Sequence, residues 1–139
     1  MSMASNPPRV EFVSTRSLMD KLGVMPFSKI SVIGIDDADF WAQLSARASD
    51  VSKGRLRQNS DLIFFAADSL IDLQKLPRLK SYLVSNGAIW VVSLKGKAAR
   101  LRDVDVIAAA KAAGLVDNKV VSFSATQTSL RLVIPVMQR

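Results

Sequence analysis

The chain of 139 residues contains no cysteine and no histidine. The first absence excludes disulfides, thiolate metal sites and cysteine nucleophiles. The second removes the commonest general base, the partner of a serine triad and the commonest transition-metal ligand. Carboxylate, lysine, tyrosine or serine chemistry remains, and each needs a positioned, pKa-tuned partner. No catalytic residue and no metal ligand is therefore assigned. No apolar run approaches the ~20 residues of a membrane span. The opening MSMASNPPRVEF lacks the basic and apolar regions of a signal peptide. The expectation is a cytoplasmic protein with no membrane partner, in which residues 1–13 form a disordered tail and residues 14–139 a single domain.

Aromatic residues are few, six Phe, two Trp and one Tyr, whereas hydrophobic residues make up 49% of the chain, enough for an ample core. Nineteen Lys and Arg against twelve Asp and Glu leave a net charge of +7, which attracts anionic partners without specifying one. The basic residues gather at KGRLR (Lys53, Arg55, Arg57), KLPRLK (Lys75, Arg78, Lys80) and KGKAARLR (Lys95, Lys97, Arg100, Arg102). Phe64, Phe65 and Trp90 lie in apolar runs with the look of buried strands, so a base-stacking platform for nucleic acid is poorly supported. KGKAARLR puts four positive charges in a loop just past a buried strand, where function is commonly grafted. Lys95, Lys97, Arg100 and Arg102 are accordingly the contact candidates for an anionic ligand or an acidic protein surface, with nonspecific nucleic-acid binding as the weaker alternative.

Strand and helix patterns alternate. A short helix at Ser17 to Leu22 is stopped by Gly23. The apolar run Ile30 to Ile35 leads into a helix from Asp37 to Ser49, whose Phe40, Leu44 and Ala48 recur every four residues with Trp41 beside them. DVSKGRLRQNS predicts a short strand and a polar loop. DLIFFAA (61–67) is a continuous apolar run, as expected where helices cover both sheet faces. Ser69-x-x-Asp72 predicts a capping box for a helix that runs to Leu83, split or kinked at Pro77 and ended by Asn86-Gly87. AIWVVSL (88–94) predicts another buried strand, and Asp103 a cap for an Ala-rich helix running to Gly114. Asp117-Asn118 is expected to turn the chain into a last hairpin, with its own turn near Thr126 to Thr128. The sum is an α/β, three-layer, Rossmann-like sandwich with a mainly parallel sheet and a C-terminal antiparallel hairpin. Its layout resembles a shortened class I methyltransferase core, which implies a fold and not a function.

KISVIGIDDADFW (29–41), a strand, a Gly turn and a helix, has the outline of a nucleotide site. A ligand would sit beyond the strand carboxyl ends, so the crevice candidates are Gly34, Asp36, Asp37, Asp68 and Ser93. A dinucleotide fingerprint needs three glycines, and this turn has only Gly34. Asp36, Asp37 and Asp39 would fill the orphan N–H groups at the helix start and repel a phosphate, so no cofactor is expected. A carboxylate pair facing Lys95 and Lys97 across the crevice is the sharper alternative. A degenerate methyltransferase-like or nucleotide-dependent enzyme using Asp36, Asp37 and Asp68 is the corresponding alternative function.

The segments SLMDKLGVMPFSKISVIG (17–34), GAIWVVSLKGK (87–97) and AAGLVDNKVVSFSATQTSLRLVIP (112–135), with their spacing, resemble a bacterial family called domain of unknown function three-thousand-fifty-two. The likeness covers about residues 14–135. Its most specific pieces are K-L-G-V-x-P at 21–26, the Trp90 strand followed by a Lys-bearing loop, G-L-V-D-N-K-V at 114–120 and S-L-R-L-V at 129–133. It implies a Rossmann-like domain without an assigned activity. The family pattern tends to have a Pro-Lys-Lys step after the Trp strand and a Trp before the last strand, where this chain has Leu94-Lys95-Gly96-Lys97 and Gln127. Arg131 is expected to be exposed opposite Leu130 and Leu132, and with Lys119 to extend a basic rim.

Overall fold

The run that begins at Ser60 shows why the chain forms layers: Leu62 and Phe64 pack on one face of the sheet while Ile63 and Phe65 pack on the other, and all four are buried. A strand apolar on both sides is stable only where helices cover both faces. A computed structural model describes residues 16–139, and the tail expected at residues 1–13 lies outside the described residues. Six strands form one sheet: β1 (Lys29–Ile33), β2 (Asp50–Lys53), β3 (Ser60–Ala66), β4 (Leu83–Leu94), β5 (Val116–Ser122) and β6 (Gln127–Val133), in the order β2-β1-β3-β4-β6-β5. The first four are parallel, and β6 runs antiparallel to both β4 and β5.

Helices α1 (Leu18–Lys21) and α2 (Ala38–Arg47) cover the front face. There Met19, Phe40 and Leu44 meet Ile30, Val32, Phe64 and Trp90 in one cluster. Helices α3 (Leu70–Leu73), α4 (Leu76–Lys80) and α5 (Asp103–Ala112) cover the back, where Leu73, Leu76, Leu79, Val106 and Ala110 meet Ile63, Phe65, Ile89 and Leu132. Pro77 splits the expected long helix into α3 and α4, because a prolyl ring cannot donate the i→i−4 bond and clashes with the preceding turn.

Between β2 and β3 the connection is residues 54–59, where a doubly wound sheet ordinarily carries a crossover helix. Arg57 does part of that helix's work on the back of β1. Its Nη2 donates to the carbonyls of Asp50 (2.9 Å) and Ile30 (3.1 Å), Nη1 bonds the Asp50 carboxylate (2.5 Å), and its backbone N–H donates to the buried Ser31 Oγ (3.1 Å). Ser31 and Ser60 hydroxyls, both fully buried, bond each other at 2.8 Å.

Four local expectations are corrected. The helix before β4 ends at Lys80, and Asn86-Gly87 lies inside β4, in a stretch where β4 bulges against β3 between the pairs Ser60↔Leu83 and Leu62↔Ala88. Gly87 is needed there for close approach: a Cβ would stand 2.7 Å from the Asp61 carbonyl oxygen. Asp103 is the first helical residue of α5 and not its cap; the Asp105 carboxylate accepts the N–H of Arg102 at 2.9 Å instead. Asp117 and Asn118 sit within β5, which begins at Val116 just past the turn at Gly114 that follows α5, and the hairpin turn spans residues 123–126. The close is tight because Leu115 N–H returns to the Ala110 carbonyl (2.8 Å) and Gly114 N–H to that of Lys111 (3.1 Å). Arg131 is half-buried, since it lies on the same face as Trp90, its partner on β4.

Candidate functional site

The strand order 2-1-3-4 reverses between β1 and β3, so the crevice to inspect lies outside their carboxyl ends. Gly34 turns the chain there with φ +81°, a region L side chains rarely adopt, and a Cβ would also meet that of Ala66 at 3.3 Å. The next residue, Ile35, turns inward and is buried. Its carbonyl accepts the indole N–H of Trp41 at 2.7 Å, which draws the first turn of α2 against the loop.

Every sequence-predicted acid of the crevice has an internal task. Asp37 Oδ1 accepts the N–H of Phe40 (3.0 Å), capping α2 as its position at the helix start predicts. Asp36 is exposed and pairs at 3.7 Å with Lys53, at the end of β2, whose ammonium also lies 5.2 Å from the Trp41 ring centre. Asp68 Oδ1 accepts the N–H of Leu94 (2.8 Å), tying the end of β3 to the end of β4. The Asp68 N–H in turn donates to Asp72 Oδ2 (3.0 Å), and Ser69 Oγ accepts from Asp72 N–H (3.1 Å), so the capping box forms with Asp72 reaching back one residue further. The bond from the Asp68 N–H, then hydrogen bonding from Ser69 and the charge of Lys75, holds the Asp72 carboxyl below its ordinary range. Ser93 is buried in β4 opposite Thr128. Lys95 does not reach it: its ammonium donates to Ser122 Oγ at 2.7 Å.

The hairpin adds an aromatic contact to the front face beside the crevice. Phe123, in the β5–β6 turn, packs on Phe40 with ring centres 4.7 Å apart, and Phe40 meets Phe64 edge-on at 5.1 Å. Phe40, Phe64 and Phe123 are all buried. Cavities of 240–380 Å³ open on α1 and the β5 edge, between α3 and α5, and beside α2.

The carboxylate pair expected to face Lys95 and Lys97 does not form: Asp36 pairs with Lys53, and Asp37 serves its own helix. Of the four basic loop residues, Lys97 and Arg100 are exposed in or next to the 3₁₀ turn Gly96–Ala98, and Arg102 pairs loosely with Asp105 at 3.7 Å. Lys97 and Arg100 enter no ion pair among the described residues. The structure thus brings Gly34, Asp36, Asp37 and Asp68 to one crevice and places Lys95, Lys97, Arg100 and Arg102 beside it on the β4 side. Sequence reasoning missed Trp41 and Lys53 as closing groups, although Trp41 at the flank of an apolar stripe was a signal. It also missed Phe123, whose approach depends on the hairpin's fold. Among the described residues no three or more Asp, Glu, His or Cys side chains converge as a metal site would require.

No protein-family model and no curated protein matches the chain. Solved structures do. A provisionally assigned type 11 methyltransferase from Sulfolobus solfataricus superposes with a TM-score of 0.63 at 16% identity, over 86% of this chain and 90% of that one. Fibrillarin from Aeropyrum pernix, solved with natively bound S-adenosyl-L-methionine, gives 0.60 at 11% identity over 78% and 67%. A provisionally assigned methyltransferase from Thermoplasma acidophilum gives 0.59 at 9% over 81% and 70%. Against several larger methyltransferase-fold proteins, among them the pyocyanin biosynthetic protein PhzM, the chain spans about half the length, 52–53%. At these identities the likeness is one of fold: the chain has the Rossmann-like fold of class I methyltransferases, with a mostly parallel sheet and a terminal antiparallel hairpin.

Proposed function

We propose that this chain is a methyltransferase-fold domain whose crevice is closed by its own side chains, and that it serves as a non-catalytic accessory domain binding an acidic protein surface through the loop after β4. The observation that carries the reading is the closure: Phe123 packs on Phe40 while Asp37 and Asp68 are spent on the chain's own amides. A helix start capped by Asp37 has one of its free N–H groups taken and a negative charge at its positive end, which would repel a phosphate. Lys97 and Arg100 supply exposed charge at the carboxyl end of the sheet, where this architecture places its contacts. Membership of the domain of unknown function three-thousand-fifty-two family, a bacterial source and a cytoplasmic location belong to the same proposal, and rest on the K-L-G-V-x-P, G-L-V-D-N-K-V and S-L-R-L-V motifs and on composition. The second reading, a degenerate enzyme of the methyltransferase class, is favoured by the fold itself, shared with fibrillarin, which was solved with S-adenosyl-L-methionine.

The test uses a fluorescent polyglutamate peptide as the acidic probe and follows its anisotropy against the full chain at rising salt. Binding that weakens with salt, and by about tenfold in Lys97→Gln/Arg100→Gln, supports the proposal, two exposed charges contributing about 0.7 kcal/mol each. Equal binding by that variant contradicts it. An oligonucleotide of matched charge that binds more tightly than the peptide also contradicts it, in favour of nucleic acid.

A further inference from the structure

Away from the crevice, a cavity of about 250 Å³ opens on the front face between α1 and the outer hairpin, bounded by Asp20, Lys21, Gly23, Asn118, Lys119 and Arg131. Lys119 on β5 and Arg131 on β6 are direct cross-strand partners. Like charges so placed repel, and a pair of this kind costs stability where nothing lies between them. Arg131 in turn stands opposite Trp90, whose indole N–H is bound to the Leu22 carbonyl at 3.0 Å, so the segment after α1 roofs the site. The ammonium of Lys119 donates to the Lys21 carbonyl at 2.8 Å, which gathers Lys21 to the same rim. Arg16 joins Lys21 and Lys119 on the adjoining cavity along β5.

Beyond the bond from Lys119 to the Lys21 carbonyl, the side chains of Lys21, Lys119 and Arg131 enter no hydrogen bond among the described residues. The neighbours of Arg131 on the same face of β6, Ser129 and Val133, are small or apolar and buried. Asp20, the one acid on the cavity, is taken by Arg47 at 3.0 Å. Lys21, Lys119 and Arg131 enter no ion pair among the described residues. Partial desolvation, followed by the charges of Arg16, Arg131 and Lys21, holds the exposed Lys119 ammonium below its ordinary value, and desolvation followed by the charge of Arg139 does the same to the half-buried Arg131. An anion between them would relieve both.

We infer that Lys21, Lys119 and Arg131 form a binding site for a small phosphate-bearing anion, inorganic phosphate or a phosphomonoester, separate from the loop after β4. The planar guanidinium offers a two-pronged donor to phosphate oxygens, and two ammonium groups supply the remaining charge. The cavity falls short of the roughly 300 Å³ at which sites for drug-sized ligands begin, and suits a phosphate group with little attached. The inference does not rest on the function proposed above, since it uses none of the same residues.

The experiment is thermal unfolding of the full chain titrated with sodium phosphate, with glycerol 3-phosphate and with a short oligonucleotide, each against sodium chloride of matched ionic strength. A ligand bound only by the folded state raises its melting temperature by mass action. The expected result is a saturable rise with phosphate or glycerol 3-phosphate beyond that of chloride. The affinity should fall by about tenfold or more in Lys119→Gln, the loss of one charge-assisted bond. Lys97→Gln/Arg100→Gln should keep the wild-type response. Lys119 is exposed on an edge strand, so this variant decides the matter even if Arg131→Gln fails to fold. A rise no greater than that of chloride, an unchanged response in Lys119→Gln, or a rise with the oligonucleotide alone overturns the inference. Which of the two small anions binds more tightly names the source of the phosphate.

Discussion

Replacing Asp68 tests whether the crevice is held shut by the chain itself. Its Oδ1 accepts the Leu94 N–H at 2.8 Å and forms the side-chain link between the ends of β3 and β4. Asp68→Ala deletes that acceptor and leaves a half-buried amide to find water. A hydrogen bond to a charged group contributes about 1.5–3 kcal/mol net, and the low end applies because Asp68 is only partly buried. About 1.5 kcal/mol of destabilisation is expected, which for a chain of this size lowers the melting temperature by about 5 °C. Asp68→Asn keeps an oxygen where Oδ1 stands and should recover more than half of the loss. Urea unfolding with an unchanged m-value is the assay, because it separates a loss of stability from a change in the surface exposed. An Asp68→Ala protein within about 0.5 kcal/mol of the parent, or an Asn variant no better than Ala, refutes the reasoning, the first figure being the usual scatter of surface changes.

Three further outcomes follow from the same structure. Arg57→Met removes the three side-chain bonds to Asp50 and Ile30 on the back of β1 and should cost about 3 kcal/mol, measured by urea unfolding; a loss below about 1 kcal/mol would mean that loop 54–59 does not close that face. Gly87→Ala drives a methyl against the Asp61 carbonyl oxygen and should cost about 1–3 kcal/mol, read from the melting temperature. The Asp72 carboxyl is held below its ordinary value of 3.8 in the fold, chiefly by the Asp68 N–H, so its contribution is present at neutral pH and is lost as pH falls through the depressed value. Melting temperatures of Asp72→Asn and parent should therefore differ most above about pH 5 and converge near about pH 2.

The fold was legible because its signals were strong and local. An unbroken apolar run at 61–67 says that both faces are covered, and Phe40, Leu44 and Ala48 at four-residue spacing say where α2 lies. Failures occurred where tertiary contact outweighs local chemistry. Asn86-Gly87 reads as a helix stop, yet glycine is there because β4 bulges onto the Asp61 backbone, which only strand pairing reveals. Asp117-Asn118 reads as a turn, yet the close at Gly114 and Leu115 had already redirected the chain. In the site, of the three carboxylates expected to fill the helix-start N–H groups of α2, Asp37 alone does so, by accepting the Phe40 N–H, while Asp36 turns to Lys53 and Asp39 accepts none of these N–H groups among the described residues. The Asp36 pairing with Lys53 was invisible, since β2 lies seventeen residues away in the chain and beside β1 in space. Lys119 beside Arg131 could be suspected from alternation in the last hairpin, whereas the half-burial of Arg131 needed the position of α1.

The central claim is that the crevice of this methyltransferase fold is filled by Phe40, Phe123, Trp41 and the capped carboxylates. Isothermal titration of the full chain with S-adenosylmethionine tests it most directly. The account predicts no saturable heat up to about 1 mM, an affinity no better than about −4 kcal/mol. A saturable isotherm with a micromolar Kd would contradict it, and would turn Asp36, Asp37 and Asp68 from internal fastenings into cofactor ligands.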